Sequence, residues 1–292
     1  MRVTNRTMTN NLLRNLNQGK TRLDKLNFQL ATGKTVNVPS DNPVKTGSIL
    51  RLSSTVRQTE QYLRNTDHAI SWLEATDTVL RDLTSIIHRV RSLAIQGSND
   101  TNDESARQAL ADEIKQLAYN VEGLANSTHT GRYLFAGQSV GEKPFSEKPP
   151  GSLEFAYNGD TNQIKYEIGV NAEVSVSIPG SEIFEDIFVA IKQVYDEITG
   201  ASGDQKGLEL LDNALDNVLS HQSHVGALQN RVELANERLK DLRLNVIDLL
   251  GESQNIDYAE TIMNLKMEEF IYQTALAVGA RIIQPSLVDF LR

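Results

Sequence analysis

The chain has no cysteine, which rules out disulfides, thiolate metal ligands and cysteine nucleophiles together. Aromatic residues are 6 % of its 292 positions, with one tryptophan (Trp72) and four methionines, so there is little material for a large aromatic ligand pocket. No run approaches the roughly 18 consecutive apolar residues of a membrane span. Met1 to Lys20 lacks an apolar h-region, because Asn, Thr and Arg interrupt each short run, and any export is expected to bypass a cleaved secretory signal. No phosphate-cradling glycine loop occurs. Apolar residues still make up 39 %, enough to bury a core, and the length allows two or three domains.

What is present in quantity is helical periodicity. Val225, Leu228, Val232, Ala235, Leu239, Leu242, Val246 and Leu249 alternate steps of three and four, which is a heptad seam. Leu12, Leu16, Leu23, Leu26 and Leu30 form a second seam, and Ile49, Leu52, Val56, Leu63, Ile70 and Leu73 a third. A 3.5-residue period holds one stripe against a partner helix over many turns, so the chain is built to lie helix against helix and to assemble. Charge is uneven. Residues 1–64 carry eleven Lys or Arg against three acids, net +8, which leaves −17 for the rest of a chain whose total is −9. The cations are dispersed singly without interleaved aromatics, and residues 205–292 are acidic at −5, so pairing between the two ends explains the asymmetry better than nucleic-acid binding.

Punctuation divides the chain. A first helix is expected from about residue 5 to Leu30, capped by Gly33, followed by a loop through Pro39-Ser40-Asp41-Asn42-Pro43. A long helix from about Lys45 to Gln96 follows, then a polar connector in which Thr101 and Glu104 have capping-box spacing for a third helix to about Ser127. The period then changes to two. Tyr133–Ala136 is a short apolar run, Leu153–Tyr157 and Ile164–Val170 are expected to pair across Asn158-Gly159-Asp160, and Val174, Val176 and Ile178 continue the alternation. A short helix over Ile183–Ile198, a flexible joint at Gly200–Gly207, a helix from Leu208 broken at Gly251, and a last helix from Ile256 to about Ile283 complete the reading. The fold class is mainly α: a long-helix bundle or coiled coil formed by both chain ends, with a β-rich central insert. The segments are 1–44 with 251–292 as terminal coiled coil, 45–131 with 205–250 as helical bundle, and 132–204 as outer insert. An apolar tail containing Leu287, Val288, Phe290 and Leu291 marks a surface that becomes buried.

Several patterns imitate chemistry. Gly137-Gln138-Ser139-Val140-Gly141 matches a nucleophile elbow, but Lys143-Pro144 prevents the helix that must follow the serine, so the segment reads as a glycine turn. Ser40-Asp41-Asn42 and Lys45-Thr46-Gly47 imitate penicillin-binding signatures without the required Ser-x-x-Lys. His221 and His224 are a helical turn apart with no third ligand by spacing, and Asn99–Glu104 lacks the ordered ligands of a calcium loop. No catalytic, cofactor or metal residue is assigned, and the chain is not expected to be an enzyme.

The flanks resemble the bacterial flagellin-type axial proteins. The resemblance rests on Leu23-Asp24-Lys25-Leu26-Asn27-Phe28-Gln29-Leu30 through Thr32-Gly33-Lys34 to Ser40-Asp41-Asn42-Pro43, on Asn65-Thr66-Asp67, on Arg89–Gln96, and on Gly131-Arg132-Tyr133-Leu134-Phe135-Ala136-Gly137. At the other end Asp257-Tyr258-Ala259-Glu260, Gln273-Thr274-Ala275-Leu276 and Pro285–Leu291 match. Within the family the Tyr-Leu-Phe-Ala-Gly segment and the Ser-Leu-Val-Asp-Phe-Leu ending are closer to the hook-filament junction branch than to filament subunits; residues 138–207 carry no family signal. The resemblance implies a structural role in the flagellum, adapting the hook to the flagellin filament, with the filament subunit itself as the alternative. It further implies self-assembly into a ring or short helical zone, hook-associated protein 1 on the hook side, flagellin on the filament side, an export chaperone and the type III export apparatus, and an extracellular destination without nucleic-acid binding, membrane insertion or cofactor. Leu12, Leu16, Leu23, Leu26, Leu30, Leu276, Leu287, Val288, Phe290 and Leu291 are the expected assembly contacts, and Val225, Leu228, Val232, Leu239, Leu242, Val246 and Leu249 the bundle seam.

Overall fold

The computed structural model describes residues 2–98, 103–149, 151–200 and 206–283. Helices α1 (Arg2–Thr32), α2 (Pro43–Gly97) and α3 (Glu104–Ala125) precede short strands β1 (Thr128–His129), β2 (Arg132–Tyr133), β3 (Phe145–Glu147), β4 (Phe155–Tyr157), β5 (Lys165–Gly169) and β6 (Ala172–Ser175). Helices α4 (Ser181–Ile198), α5 (Gly207–Gln254) and α6 (Tyr258–Ile283) follow. The strands form three separate antiparallel ladders, β1–β2, β3–β4 and β5–β6.

Local chemistry sets the helix ends. Gly33, at φ 69°, donates its N–H to Gln29 O and stops α1, a conformation that glycine adopts without a Cβ clash. Pro43 opens α2 at a position needing no N–H donor, and the Asn42 side chain accepts the Lys45 N–H at 3.0 Å. The cap of α3 is Asp103, whose carboxylate accepts the Ala106 N–H at 2.8 Å, and not Thr101, which lies outside the described residues. Asp257 caps α6 through the Ala259 and Glu260 N–H groups. Gly251 does not break α5: the helix runs through it to Gln254, because the exit is fixed by backbone pairing with the loop after α1. There Thr35 N–H reaches Gln254 O at 2.8 Å and Ile256 N–H reaches Gly33 O at 3.1 Å. The expected joint at Gly200–Gly207 falls largely on residues outside those described.

The hairpin expected across Asn158-Gly159-Asp160 is absent. Phe155–Tyr157 pairs with Phe145–Glu147 instead, and Lys165–Gly169 with Ala172–Ser175, turning at Val170 and Asn171 with Asn171 at φ 57°. The Asp160 N–H donates to Ala136 O and the Asn158 N–H to Pro144 O, so the Asn-Gly-Asp segment is held by the strand-flanking turns and is unavailable as a two-residue loop.

The chain forms two compact units, one drawn from Met1–Gln58 and Arg243–Arg292, the other from Thr59–Leu242. In the second, one continuous core takes Leu73, Leu80 and Leu83 from α2, Ile114 and Val121 from α3, Phe184 and Ile187 from α4, and Val218, Val225 and Val232 from α5. Phe135, Phe145, Leu153 and Val174 of the expected outer insert belong to the same core. Phe145 lies 5.6 Å from Phe184 and 5.4 Å from Phe188, ring centre to ring centre. In the single chain the core does not stop at the borders of 132–204: the buried Ile183, Phe184, Ile187 and Phe188 of α4 share it with Ile114 and Val121 of α3 and Val225 of α5. Trp72 is buried here with its indole N–H unpartnered, edge-on to His129 at 6.0 Å.

Candidate assembly surfaces

In the first unit α1 and α6 lie antiparallel, as a descending series of contacts shows. Leu12 meets Gly279, Gly19 meets Tyr272, Arg22 meets Glu268 and Gly33 meets Tyr258. A β-carbon at Gly279 would come within 2.7 Å of Leu12 Cδ2, so the glycine gives the leucine its space. The Arg22 guanidinium is 2.7 Å from the Glu268 carboxylate. Such a partly exposed pair contributes roughly 0–1 kcal/mol and serves mainly to fix register.

The loop after α1 is built around Asp41. Lys25 Nζ is 3.0 Å from its carboxylate, and the Asn37 and Val38 N–H groups donate to it at 3.3 Å each. The Lys25 hydrogen bond, then the two backbone donors, hold its pKa below the usual carboxylate range. Asp41 and Asn42 thus have structural duties in this loop.

Pairing leaves much apolar surface uncovered. Leu12, Leu16, Leu23, Leu26 and Leu30 are half-buried in the single chain, as one row of α1 turned toward a single partner would be. On α6 Leu265 is buried, whereas Ile262, Met263, Met267, Phe270, Ile271, Leu276 and Val278 are between 46 and 70 % exposed. Met8, Leu13 and Phe28 are exposed on α1. Leu287, Val288, Phe290 and Leu291 lie outside the described residues.

The α5 seam splits into its two rows. Val225, Val232, Leu239 and Val246 are buried, while Leu228 and Ala235 are half-buried and Leu242 and Leu249 are 44 and 51 % exposed. In the single chain one row of the seam packs inside, and the other turns outward at Leu242 and Leu249. Leu239 joins Tyr62 and Leu63 in a small cluster. Beside it Asn236, which periodicity did not single out, is buried and donates at 2.8 Å to both Thr66 Oγ1 and Asp67 Oδ1. A buried side-chain amide with its partners fixed admits one register between α2 and α5.

The chemistry-like patterns occupy structural places. Gly137 takes φ 64° under the Asp160 carbonyl, and Ser139 enters a turn closed by the Glu142 N–H to Ser139 O bond at 3.1 Å. Burial pushes the Tyr157 phenol up, its oxygen lying 2.8 Å from Asp160 O and 3.0 Å from Phe135 O. Burial pushes the His221 imidazole below its ordinary pKa, with nearby Glu182 opposing. Among the described residues no three His, Asp or Glu side chains converge as a metal group, and no helix is long and apolar enough to cross a membrane.

This arrangement defines a helical assembly protein: helices near the two chain ends pair with each other and carry an open apolar surface, and the sequence between them folds into a compact helix-and-strand body. The family model of the bacterial flagellin N-terminal helical region matches residues 3–140 and that of the C-terminal helical region matches residues 208–291, and the chain belongs to the bacterial flagellin family. It is 25 % identical over 305 residues to flagellar hook-associated protein 3 of Escherichia coli, covering 94 % of this chain and 95 % of that one. It is also 25 % identical over 268 residues to the flagellin of Halalkalibacterium halodurans, covering 91 % and 89 %. In fold it is similar to the crystal structure of hook-associated protein 3 from Legionella pneumophila, with a TM-score of 0.64 at 17 % identity over 70 % of this chain and 98 % of that one.

Proposed function

We propose that the chain is a structural, non-catalytic subunit of the bacterial flagellum, placed at the hook-filament junction. It is exported by the flagellar type III route with a chaperone, assembles with copies of itself into a ring or short helical zone, and presents one side to hook-associated protein 1 and another to flagellin. The observation that carries this reading is the match to a hook-associated protein 3 over 94 % of this chain and 95 % of that one. The open apolar face of α6 supports the assembly part, since exposed apolar surface on this scale marks a binding partner. In the assembled state the terminal segments 1–44 and 251–292, including Leu287, Val288, Phe290 and Leu291, form the inner contact.

Deletion of the gene tests the reading. The expected phenotype is hooks without filaments and flagellin released to the medium, reproduced by truncation before Ser286. Filaments of normal length in the deletion strain, or long filaments formed by the purified protein alone, would overturn it, the latter in favour of a filament subunit.

A further inference from the structure

Two surfaces of the Thr59–Leu242 unit are complementary and uncovered. The first is a groove of about 820 Å³ between the β5–β6 hairpin and α5. Its lining is apolar apart from Asn230, Arg231 and Arg238, and contains no acid. Val170 at the hairpin tip is 73 % exposed and Leu234 is 68 % exposed. The hairpin is anchored, since Asn65 Nδ2 donates to Glu167 O at 2.8 Å. Arg231 and Arg238 are seven residues apart, about 10.5 Å along one helix face, with Leu234 between them. Neither guanidinium is hydrogen-bonded or ion-paired among the described residues.

The second surface is a trough between β4 and α4, floored by Leu153, Phe155 and Phe188. Val189, 59 % exposed, stands at its edge. Its acids are Glu154, Glu185 and Asp196, and its one cation, Lys192, is engaged with Glu154. Among the described residues Glu185 and Asp196 have no cation partner, and both lie on the α4 stripe that carries Val189, about 16.5 Å apart. One surface thus holds a projecting valine and two unpaired cations, and the other an apolar recess and two unpaired anions.

We propose that the occupant is a second copy of this chain: the Val170 tip and Leu234 of one copy cover the Phe155–Phe188–Val189 trough of the next, with Arg231 and Arg238 against Glu185 and Asp196. This rests on the reading of the chain as an assembling subunit and names the surface it uses. The contact is heterologous, so it propagates from copy to copy around a ring or helical zone and does not stop at a dimer. The span of the carboxylates exceeds that of the guanidinium stems by an amount two arginine side chains can bridge, and an ion pair placed between apolar contacts discriminates between partners more than it adds raw affinity.

The absence of native cysteine makes the test direct. Full-length Val170→Cys and Val189→Cys variants, co-expressed in the deletion strain, should give a disulfide-linked dimer on oxidation of filament-bearing cells. Either variant alone should give none, and neither should Val170→Cys paired with Thr78→Cys on the exposed side of α2. Filament-bearing cells without a Val170–Val189 cross-link above that control would overturn the contact, as would equal dimerisation of Val170→Cys with itself. Independently, Arg231→Glu/Arg238→Glu should reduce filaments per cell by about tenfold, and adding Glu185→Arg/Asp196→Arg in the same chain should restore them. Failure of the restoring pair, with purified variants melting like the parent, would also overturn it. A deletion strain that still builds filaments refutes the junction reading and leaves the copy-to-copy contact standing; filaments without the cross-link do the reverse.

Discussion

Gly137 is the residue at which local sequence and distant backbone constrain each other most. Its φ of 64° suits glycine, and a β-carbon there would collide with the Asp160 carbonyl, a group of backbone that a side-chain rotation cannot move aside. Gly137→Ala should destabilise the Thr59–Leu242 unit by about 1–3 kcal/mol, whereas Gly141→Ala, which meets open space, and Ser139→Ala should leave the thermal melt close to that of the parent. Equal melting of Gly137→Ala and Gly141→Ala would show that the turn relaxes freely. That a turn occurs at Gly137 was legible from the sequence. The reason glycine is needed was not, because the carbonyl that excludes a side chain comes from the Asn158-Gly159-Asp160 segment, itself read as a hairpin turn. A two-residue turn signal reports local preference, and here two longer-range backbone bonds, Asn158 N–H to Pro144 O and Asp160 N–H to Ala136 O, outweigh it.

Helices were legible as elements because their period is repeated many times, whereas strands of two to five residues offer too few repeats to fix a partner. The seam of α5 shows the limit of periodicity in a finer way. A heptad gives two rows of apolar residues, and it does not say which row finds its cover within the same chain. Leu239 belongs to the covered row with Tyr62 and Leu63; Leu242 belongs to the open one. Leu239→Ala should cost about 2–5 kcal/mol in denaturant titrations of the monomer, and Leu242→Ala clearly less. Comparable losses at the two positions would contradict the division into inner and outer rows. Gly251 makes the same point, since the glycine stop signal yields to the pairing of Thr35 and Ile256 with the backbone around it.

At the scale of the whole molecule, the two units are covered to different degrees. The Thr59–Leu242 unit has a continuous core in which helices and strands close over one another, while the other unit, built on the α1–α6 pair with the start of α2 and the end of α5, keeps wide apolar exposure. A helix pair that leaves so much apolar surface uncovered is marginal in water. Hydrogen exchange on the monomer should therefore be fast in α1 and α6 and slow in α3, α4 and the parts of α2 and α5 within residues 59–242. Even protection throughout would contradict this. The sequence divided the chain into ends, bundle and insert by its change of period, and the change of period is real, but in the single chain one core runs across it: Phe145 and Phe184 of the insert belong to the same cluster as Ile114 and Val121 of α3 and Val225 of α5.

Trp72 gives this imbalance an optical consequence. It is the chain's only tryptophan and it sits in the core of the second unit, beside the ring of His129. Its emission is therefore a built-in reporter on one half of the molecule: blue-shifted while that core is dry, red-shifted when it opens, and silent about the ends. Far-ultraviolet ellipticity sums over every helix. Followed together during heating, the two signals separate the melting of the paired ends from the melting of the body, with no label introduced.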